Sequence, residues 1–304
     1  MATISWLFFR QLHSMIMLKY NPTYAEEIND RHVKDAGVRL LIQREDLNHR
    51  WVSGNKWWKL KYNLAEAVAK NAKTLITYGG AFSNHICATA AAAHELGLKS
   101  VGLIRGEQTL PLNRVLAFVQ ANGMDLHYIP RSAYRNRSSE DNYLKKYNNY
   151  YLIPEGGSNA LAVKGVKEFA ESLTIPFDYL CCAVGTGGTL AGLIEGLPSE
   201  KKIIGLPVLK GAEFLVDDIK KLIVDNKANT NWRLILDYHF GGYAKSNIIL
   251  DHFLAEFSSL HTVPLDKIYT GKMMAGIYDL MQKGFFEQGS TVLAIHTGGL
   301  QFVK

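Results

Sequence analysis

Two lysines three residues apart, Lys56 and Lys59, stand where the small polar turn Ser53-Gly54-Asn55 opens an amphipathic helix. A helix N-terminus carries partial positive charge, so a lysine there is disfavoured by roughly 0.3–1 kcal/mol. Ser, Gly and Asn open helices well, whereas Lys56, Lys59 and Lys61 are poor choices for the first turns. Such a placement makes chemical sense if an anion binds nearby, or if one amine is held neutral and nucleophilic. Lys61 needs neither explanation and reads as a surface lysine.

Glycine-rich stretches supply what an anion would need. Five expected strands end in loops that combine Gly with Ser, Thr, Asn or Tyr: 79–84, 155–159, 185–189, 241–243 and 297–299. In open α/β sheets ligands bind beyond the carboxyl ends of the strands, so these loops can converge on one crevice. Glycine lets backbone N–H groups approach a ligand, and Ser/Thr hydroxyls add donors. Taken singly, any of them could merely end a strand. The strongest phosphate candidate is Gly185-Thr186-Gly187-Gly188-Thr189, which follows an apolar strand and opens a helix. It lacks the GxGxxG spacing with its later acidic residue, and no Lys-Ser/Thr pair follows the glycines. The stretch reads as a phosphate site outside the usual nucleotide motifs.

The elements that must position these residues follow from the apolar pattern. From Val38 onward, β-rich runs alternate with helical ones, which indicates an α/β protein with a parallel sheet. Strands are expected at Leu40–Gln43, Thr74–Tyr78, Ser100–Ile104, Leu126–Ile129, Tyr151–Pro154, Tyr179–Val184, Ile203–Leu209, Leu234–Tyr238 and Thr291–Ile295. The helix from the lysine turn runs to about Asn71 with Trp57, Leu60, Leu64 and Val68 on one face. Other helices are expected over 85–96, 113–122, 212–224, 249–259 and 271–283, and after the 155–159 and 185–189 loops. The polar segment Arg131–Asn149 reads as a crossing between two lobes.

Composition narrows the partners. A 304-residue chain with 47% apolar and 20% charged residues is an ordinary soluble globular protein of one large or two smaller domains. The net charge of +6 comes without a dense basic block interleaved with aromatics, so it suits small anionic ligands rather than nucleic acid. Cys87 is isolated and Cys181-Cys182 lie in an apolar run, a pattern of buried reduced thiols in a cytoplasmic protein. The histidines form no HxH or HExxH pair, so no metal site is expected. Ile4–Phe9 is too short, and too soon broken by Arg10 and His13, for a membrane span or a secretory signal. It reads either as a docking segment or as sequence ahead of a start at Met17.

A family resemblance runs through these motifs in order. Arg44-Glu45-Asp46-Leu47, Ser53-Gly54-Asn55-Lys56 with Lys59-Leu60, and Gly79-Gly80 with Ser83-Asn84 come first. Pro154-Glu155-Gly156-Gly157-Ser158-Asn159, Gly185–Thr189, Tyr269-Thr270-Gly271-Lys272 and His296-Thr297-Gly298-Gly299 complete the set. The chain resembles the pyridoxal-phosphate-dependent 1-aminocyclopropane-1-carboxylate deaminases and D-cysteine desulfhydrases. The resemblance implies a two-lobed, parallel-sheet tryptophan synthase β-like fold (fold type II). Residues 1–56 and 151–304 would form the larger lobe, and 57–150 the smaller. It also implies pyridoxal 5'-phosphate as cofactor, a small amino-acid substrate and a homodimer.

Carried over by position, Lys56 resembles the lysine that holds the cofactor covalently. Lys59, Asn84 and Gly185–Thr189 resemble phosphate-side contacts, and Ser83 a residue that meets substrate or cofactor. Tyr243 and Tyr269 resemble the active-site tyrosine pair, able to polarise or protonate a leaving group. The plain alternatives are a solvated helix lysine for Lys59, a simple N-cap for Ser83 and core packing for either tyrosine. The implied reaction removes the Cα proton of a D-amino acid, expels a β-substituent and ends in a keto acid and ammonia. Opening a cyclopropane ring is harder and calls for a carboxylate facing the ring nitrogen of the cofactor. The deaminase branch is expected to carry Glu after the second tyrosine, where this chain has Thr270, and a non-hydroxylic residue at the position of Thr297. Thr297 or Thr270 would partner the ring nitrogen, Thr297 being favoured because it ends a strand facing the crevice. The expected activity is therefore D-cysteine desulfhydrase-like, with the cyclopropane deaminase as alternative. A non-catalytic binder of the cofactor or of an amino acid is the rival from another class.

Overall fold

The computed structural model describes residues 18–136, 143–225 and 228–301. The apolar segment Ile4–Phe9 and the start considered at Met17 lie outside the described residues. Two sheets organise the chain. The larger has the order β1 (Ala25–Ile28), β2 (Arg39–Gln43), β10 (Thr291–Ile295), β7 (Tyr179–Val184), β8 (Lys202–Pro207) and β9 (Trp232–Leu234). Its pairings are parallel except β1 with β2, an antiparallel edge.

The central strand β7 is buried at every position, as a parallel strand covered on both faces must be. Leu180, Cys182 and Val184 point into one core with Trp58, Val163 and Leu190. Tyr179, Cys181 and Ala183 point into another with Met273 and Ile277. The two-residue period of the strand thus sorts one apolar run into two layers. Cys87, Cys181 and Cys182 are buried and unpaired, as their apolar settings predict.

The smaller sheet has the order β5 (Met124–Ile129), β4 (Lys99–Arg105), β3 (Thr74–Gly80) and β6 (Tyr150–Ile153), all parallel. Two expectations change here. Strand β6, assigned from the sequence to the opening of the larger lobe, pairs with β3 in register Thr74–Tyr150 through Thr77–Ile153. The stretch Arg131–Asn149 therefore does not pass between lobes. It joins opposite edges of the same sheet, and its Tyr134 packs beneath that sheet against Ile76, Tyr78 and Val101. A polar surface run looks alike in sequence whether it links two lobes or two edges.

The lysine-bearing helix α2 (Asn55–Ala69) begins at Gly54, whose φ of 69° is left-handed. A Cβ there would lie 2.0 Å from the Thr297 carbonyl oxygen, so glycine lets the helix start abut the end of β10. Trp57, Trp58, Leu60, Leu64 and Ala67 form its buried face. The helix crosses α6 (Ala160–Glu171) where Gly165 leaves room for the Trp58 carbonyl. Lys61 is not the surface lysine expected, because its side chain is only 15% exposed. It lies over the Trp57 and Trp58 rings and bonds Glu168 at 2.5 Å.

The strand expected at Leu234–Tyr238 is displaced. Strand β9 ends at Leu234, Leu236 turns helical, and a short 3-10 turn covers Asp237–His239. Phe240, Gly241, Gly242 and Ala244 then all take left-handed φ angles. The apolar run Leu234-Ile235-Leu236 reads as strand, but only three residues of the edge find a partner in β8.

Candidate active site

A cavity of about 410 Å³ opens between the two sheets, and all five glycine-bearing loops contribute to its wall. Lys56, Lys59, Ser83, Asn84, the run Gly185–Thr189, Tyr243, Tyr269 and Thr297 line it together. Thr270 does not. It is fully buried, and its hydroxyl donates to Asp266 Oδ2 at 2.7 Å while accepting from the Asp266 backbone N–H at 3.0 Å. Of the two threonines considered for one role, only Thr297 reaches the cavity.

The lysines are placed by a polar frame behind the helix start. Arg44 holds Asp46 through two bonds of 2.9 Å and Glu26 through one of 2.6 Å. Glu45 accepts from Trp58 Nε1 at 2.7 Å and from Asn48 Nδ2 at 2.9 Å, and Asn48 in turn bonds both N and O of Gly54. The Arg-Glu-Asp run thus fixes where α2 begins and does not line the cavity.

Neither Lys56 nor Lys59 has a carboxylate partner among the described residues. Lys56 Nζ donates to the Gly156 carbonyl at 3.4 Å, and Lys59 Nζ to Ser158 Oγ at 2.9 Å. Burial pushes the Lys56 amine down to about 8, with Cys182 opposing slightly. Burial, then the neighbouring charge of Lys56, pushes the Lys59 amine well below its usual value. Cys182 itself stays a thiol, raised by burial to about 12. Two enclosed amines without counter-ions form a site that is incomplete until an anion arrives.

Helix α7 (Gly188–Gly196) opens on that spot. Its N-cap is Gly187 with φ 80°, and no side chain caps its first N–H groups. A Cβ on Gly188 would meet Ser158 Oγ at 2.6 Å and Lys59 Nζ at 3.0 Å. Free N–H groups, a helix dipole and an amine therefore converge where a phosphate fits. Asn55 Nδ2 donates to Thr189 Oγ1 at 2.8 Å, tying the phosphate loop to the lysine helix.

On the opposite wall, Tyr243 and Tyr269 meet edge to face with ring centroids 6.1 Å apart. Burial raises both phenols, that of Tyr269 furthest, so both are neutral at ordinary pH. The hydrogen bond between them favours ionisation of Tyr243 and disfavours that of Tyr269. The two phenols thus act as a coupled pair of neutral hydroxyls facing the cavity, with Tyr243 the more readily ionised of the two. Ser83 caps α3 (Asn84–Glu95) by accepting from Ile86 N–H at 3.3 Å, which leaves its own hydroxyl proton available.

Among the lining residues to which the sequence reading assigned no individual role are His85, Arg105 and Glu155. Thr77 Oγ1 donates to the Ile153 carbonyl at 2.9 Å, so it accepts from His85 Nε2 at 2.8 Å. The lone pair of His85 Nδ1 is buried without a partner among the described residues. Burial and then the two lysines keep this imidazole neutral. The available signal was its place directly after Asn84 at a helix start; Glu155 stood in the Pro154–Asn159 motif, and Arg105 had only the end of β4 to mark it.

This two-sheet architecture and its paired lysines facing a glycine-rich anion cradle define a pyridoxal-phosphate enzyme of fold type II. Residues 18–298 match the family described as pyridoxal-phosphate dependent enzyme, and the chain belongs to it. A Pyrococcus abyssi protein named provisionally as a 1-aminocyclopropane-1-carboxylate deaminase is 32% identical over 292 residues, 88% of this chain and 86% of the relative. The mitochondrial bifunctional D-cysteine desulfhydrase/1-aminocyclopropane-1-carboxylate deaminase of Arabidopsis thaliana is 32% identical, covering 87% of this chain and 73% of that one. A crystal structure of an ACC deaminase homologue superposes with a TM-score of 0.80 at 27% identity, covering 96% of this chain and 95% of the other.

The residues present fit the cofactor. The uncompensated amines and the cradle that a Cβ on Gly188 would fill face one cavity, which His85, with its orphaned Nδ1, also lines. Among the described residues there is no cluster able to hold a metal ion, and no helix is long and apolar enough to cross a membrane.

Proposed function

We propose that this enzyme eliminates the β-substituent of a small D-amino acid, D-cysteine foremost, giving pyruvate, ammonia and sulfide with uptake of one water. The observation that carries this reading is the pair of threonines. Position 270, where the deaminase branch is expected to carry Glu, holds a threonine spent on Asp266, and the hydroxyl reaching the cavity is that of Thr297. A neutral hydroxyl cannot favour a protonated ring nitrogen as a carboxylate does. The chain is thus suited to expelling a good leaving group and poorly suited to opening a cyclopropane.

Bound pyridoxal phosphate supplies the electron sink that stabilises negative charge at the substrate Cα. Lys56 is the covalent anchor, and its lowered basicity suits it to take the Cα proton. Lys59 and the N–H groups of Gly185–Thr189 hold the phosphate. Ser83 and the start of α3 would seat the substrate carboxylate, Asn84 would meet the phosphate side of the cofactor, and Tyr243 would give its proton to the departing sulfur. Thr297 would be the hydroxyl partner of the ring nitrogen. The proposal includes a homodimer, testable by light scattering, and a cytoplasmic location, with which three buried unpaired thiols agree.

A D-amino-acid panel with keto-acid and sulfide detection tests the reading. Lys56→Ala should abolish turnover. If D-cysteine yields neither product while D-serine or 1-aminocyclopropane-1-carboxylate turns over, the substrate is wrong. The names of the relatives favour the cyclopropane deaminase as second reading. Wild-type activity on that ring would sink the electronic argument.

A further inference from the structure

Lys272 belongs to no part of the reaction described above, yet it is among the most deeply buried cations of the protein, 1% exposed. It stands in the first turn of α10 (Thr270–Gln282), one residue beyond the Thr270-Gly271 pair that follows Tyr269. No carboxylate among the described residues bonds it. Its Nζ donates instead to two backbone carbonyls, those of His239 and Gly242, each at 2.7 Å. Burial pushes its amine down to about 8, with the charge of Asp266 opposing, so most of it is still an ammonium at neutral pH. Asp266 itself is occupied by the backbone N–H groups of Ile268, Tyr269 and Thr270.

The two carbonyls belong to the loop that delivers Tyr243. That loop is unusual in its backbone: Phe240, Gly241, Gly242 and Ala244 all have positive φ, and two of them carry side chains that disfavour it. Its internal bonds are few, from Gly241 N–H to His239 Nδ1 at 3.0 Å, Gly242 N–H to His239 O at 3.0 Å and Lys245 N–H to Gly242 O at 3.1 Å. A conformation so costly persists only when something outside the loop holds it. The ammonium of Lys272 does so. It bridges the loop at both ends of the Phe240-Gly241 turn and roots it to the helix whose preceding residue is Tyr269.

We propose that Lys272 is a positioning residue that sets Tyr243 against Tyr269, acting as an internal cation in a cradle of two carbonyls. The proposal rests on the reading of Tyr243 as the proton donor to the leaving group. Without the ammonium, the His239 and Gly242 carbonyls lose their shared partner, the turn relaxes toward right-handed backbone, and the phenol moves from its place. A displacement of about 1 Å of a catalytic group is enough to cost on the order of a hundredfold in rate.

The test compares Tyr243→Phe, Lys272→Met and the double variant, all loaded with cofactor, by their turnover of the best substrate of the D-amino-acid panel. Both single variants should keep the visible band of bound cofactor. Each should lower kcat by about ten- to a hundredfold with a smaller change in KM. The double variant should be no slower than the worse single one, because residues acting through one another do not add. In Lys272→Ala, methylammonium or ethylammonium should restore a share of kcat, and should restore nothing once Tyr243→Phe is also present. Additive losses in the double variant, or an unchanged Lys272→Met enzyme, overturn the role of Lys272. A Tyr243→Phe enzyme as fast as wild type overturns the reading of the tyrosine beneath it, a separate and visible failure. Should Lys272→Met not fold, the amine rescue of Lys272→Ala decides between the outcomes.

Discussion

A pH jump on the cofactor-free protein probes the feature from which the rest of the chemistry follows, the enclosed amine of Lys56. Its pKa of about 8 lies well below the 10.5 of an ordinary lysine, and burial is the cause. At pH 7.5 about a quarter of such an amine is neutral, against roughly 0.1% of an ordinary one, an advantage of about two hundredfold in nucleophilic form. Reductive methylation with formaldehyde, followed by mass spectrometry of the Lys56 peptide, reads the neutral fraction directly. The rate at Lys56 should rise tenfold per pH unit up to about pH 8 and then level off, whereas a free lysine peptide keeps rising to pH 10. The sign for stability follows. The folded protein gives up this proton near pH 8 and the unfolded chain near 10.5, so between those values the unfolded state binds more protons and stability increases with pH. The full effect is roughly 3 kcal/mol, present as a cost below pH 8 and gone by about pH 10.5. A Lys56 profile that climbs without a break through pH 10 would refute the claim that burial readies this lysine.

Three further substitutions separate the parts of the site. Lys59→Met should weaken pyridoxal phosphate binding by about a hundredfold or more in a fluorescence titration, because it deletes the buried partner of a dianion. The same change should raise the thermal midpoint of the cofactor-free protein, where that amine is an enclosed cation without a counter-ion. Gly54→Ala places a Cβ 2.0 Å from the Thr297 carbonyl at a φ of 69°, and should lower stability by more than about 3 kcal/mol in urea while abolishing cofactor retention. Arg44→Met leaves Asp46 and Glu26 without their shared cation and should cost about 3–5 kcal/mol in the same unfolding assay.

Much of the site was legible because its signals are local. A lysine pair at a helix start violates the dipole rule within one turn of chain, and a Gly-Thr-Gly-Gly-Thr run between a strand and a helix declares an anion cradle over five residues. The alternation of apolar runs was enough for the α/β class, since strand period and burial are written in neighbouring residues. Relations between distant residues were not legible. Whether Tyr150–Ile153 joins one sheet or the other depends on which edge accepts its hydrogen bonds, and β3 does. The ambiguity between Thr270 and Thr297 is of the same kind, both being hydroxyls beside a motif. Only the packing shows Asp266 taking the first and the cavity receiving the second. The place of His85 after Asn84 and of Lys272 at the end of the Tyr269–Lys272 motif is visible in the sequence, but their roles are not, because an orphaned lone pair or an ammonium between two carbonyls exists only once 77, 239 and 242 have been brought together. By itself the sequence determined which groups could do chemistry, since side-chain type and its near neighbours set intrinsic reactivity. The tertiary structure decided which of them are deprived of water and of partners, and it is that deprivation which shifts the amines down and keeps the phenols protonated.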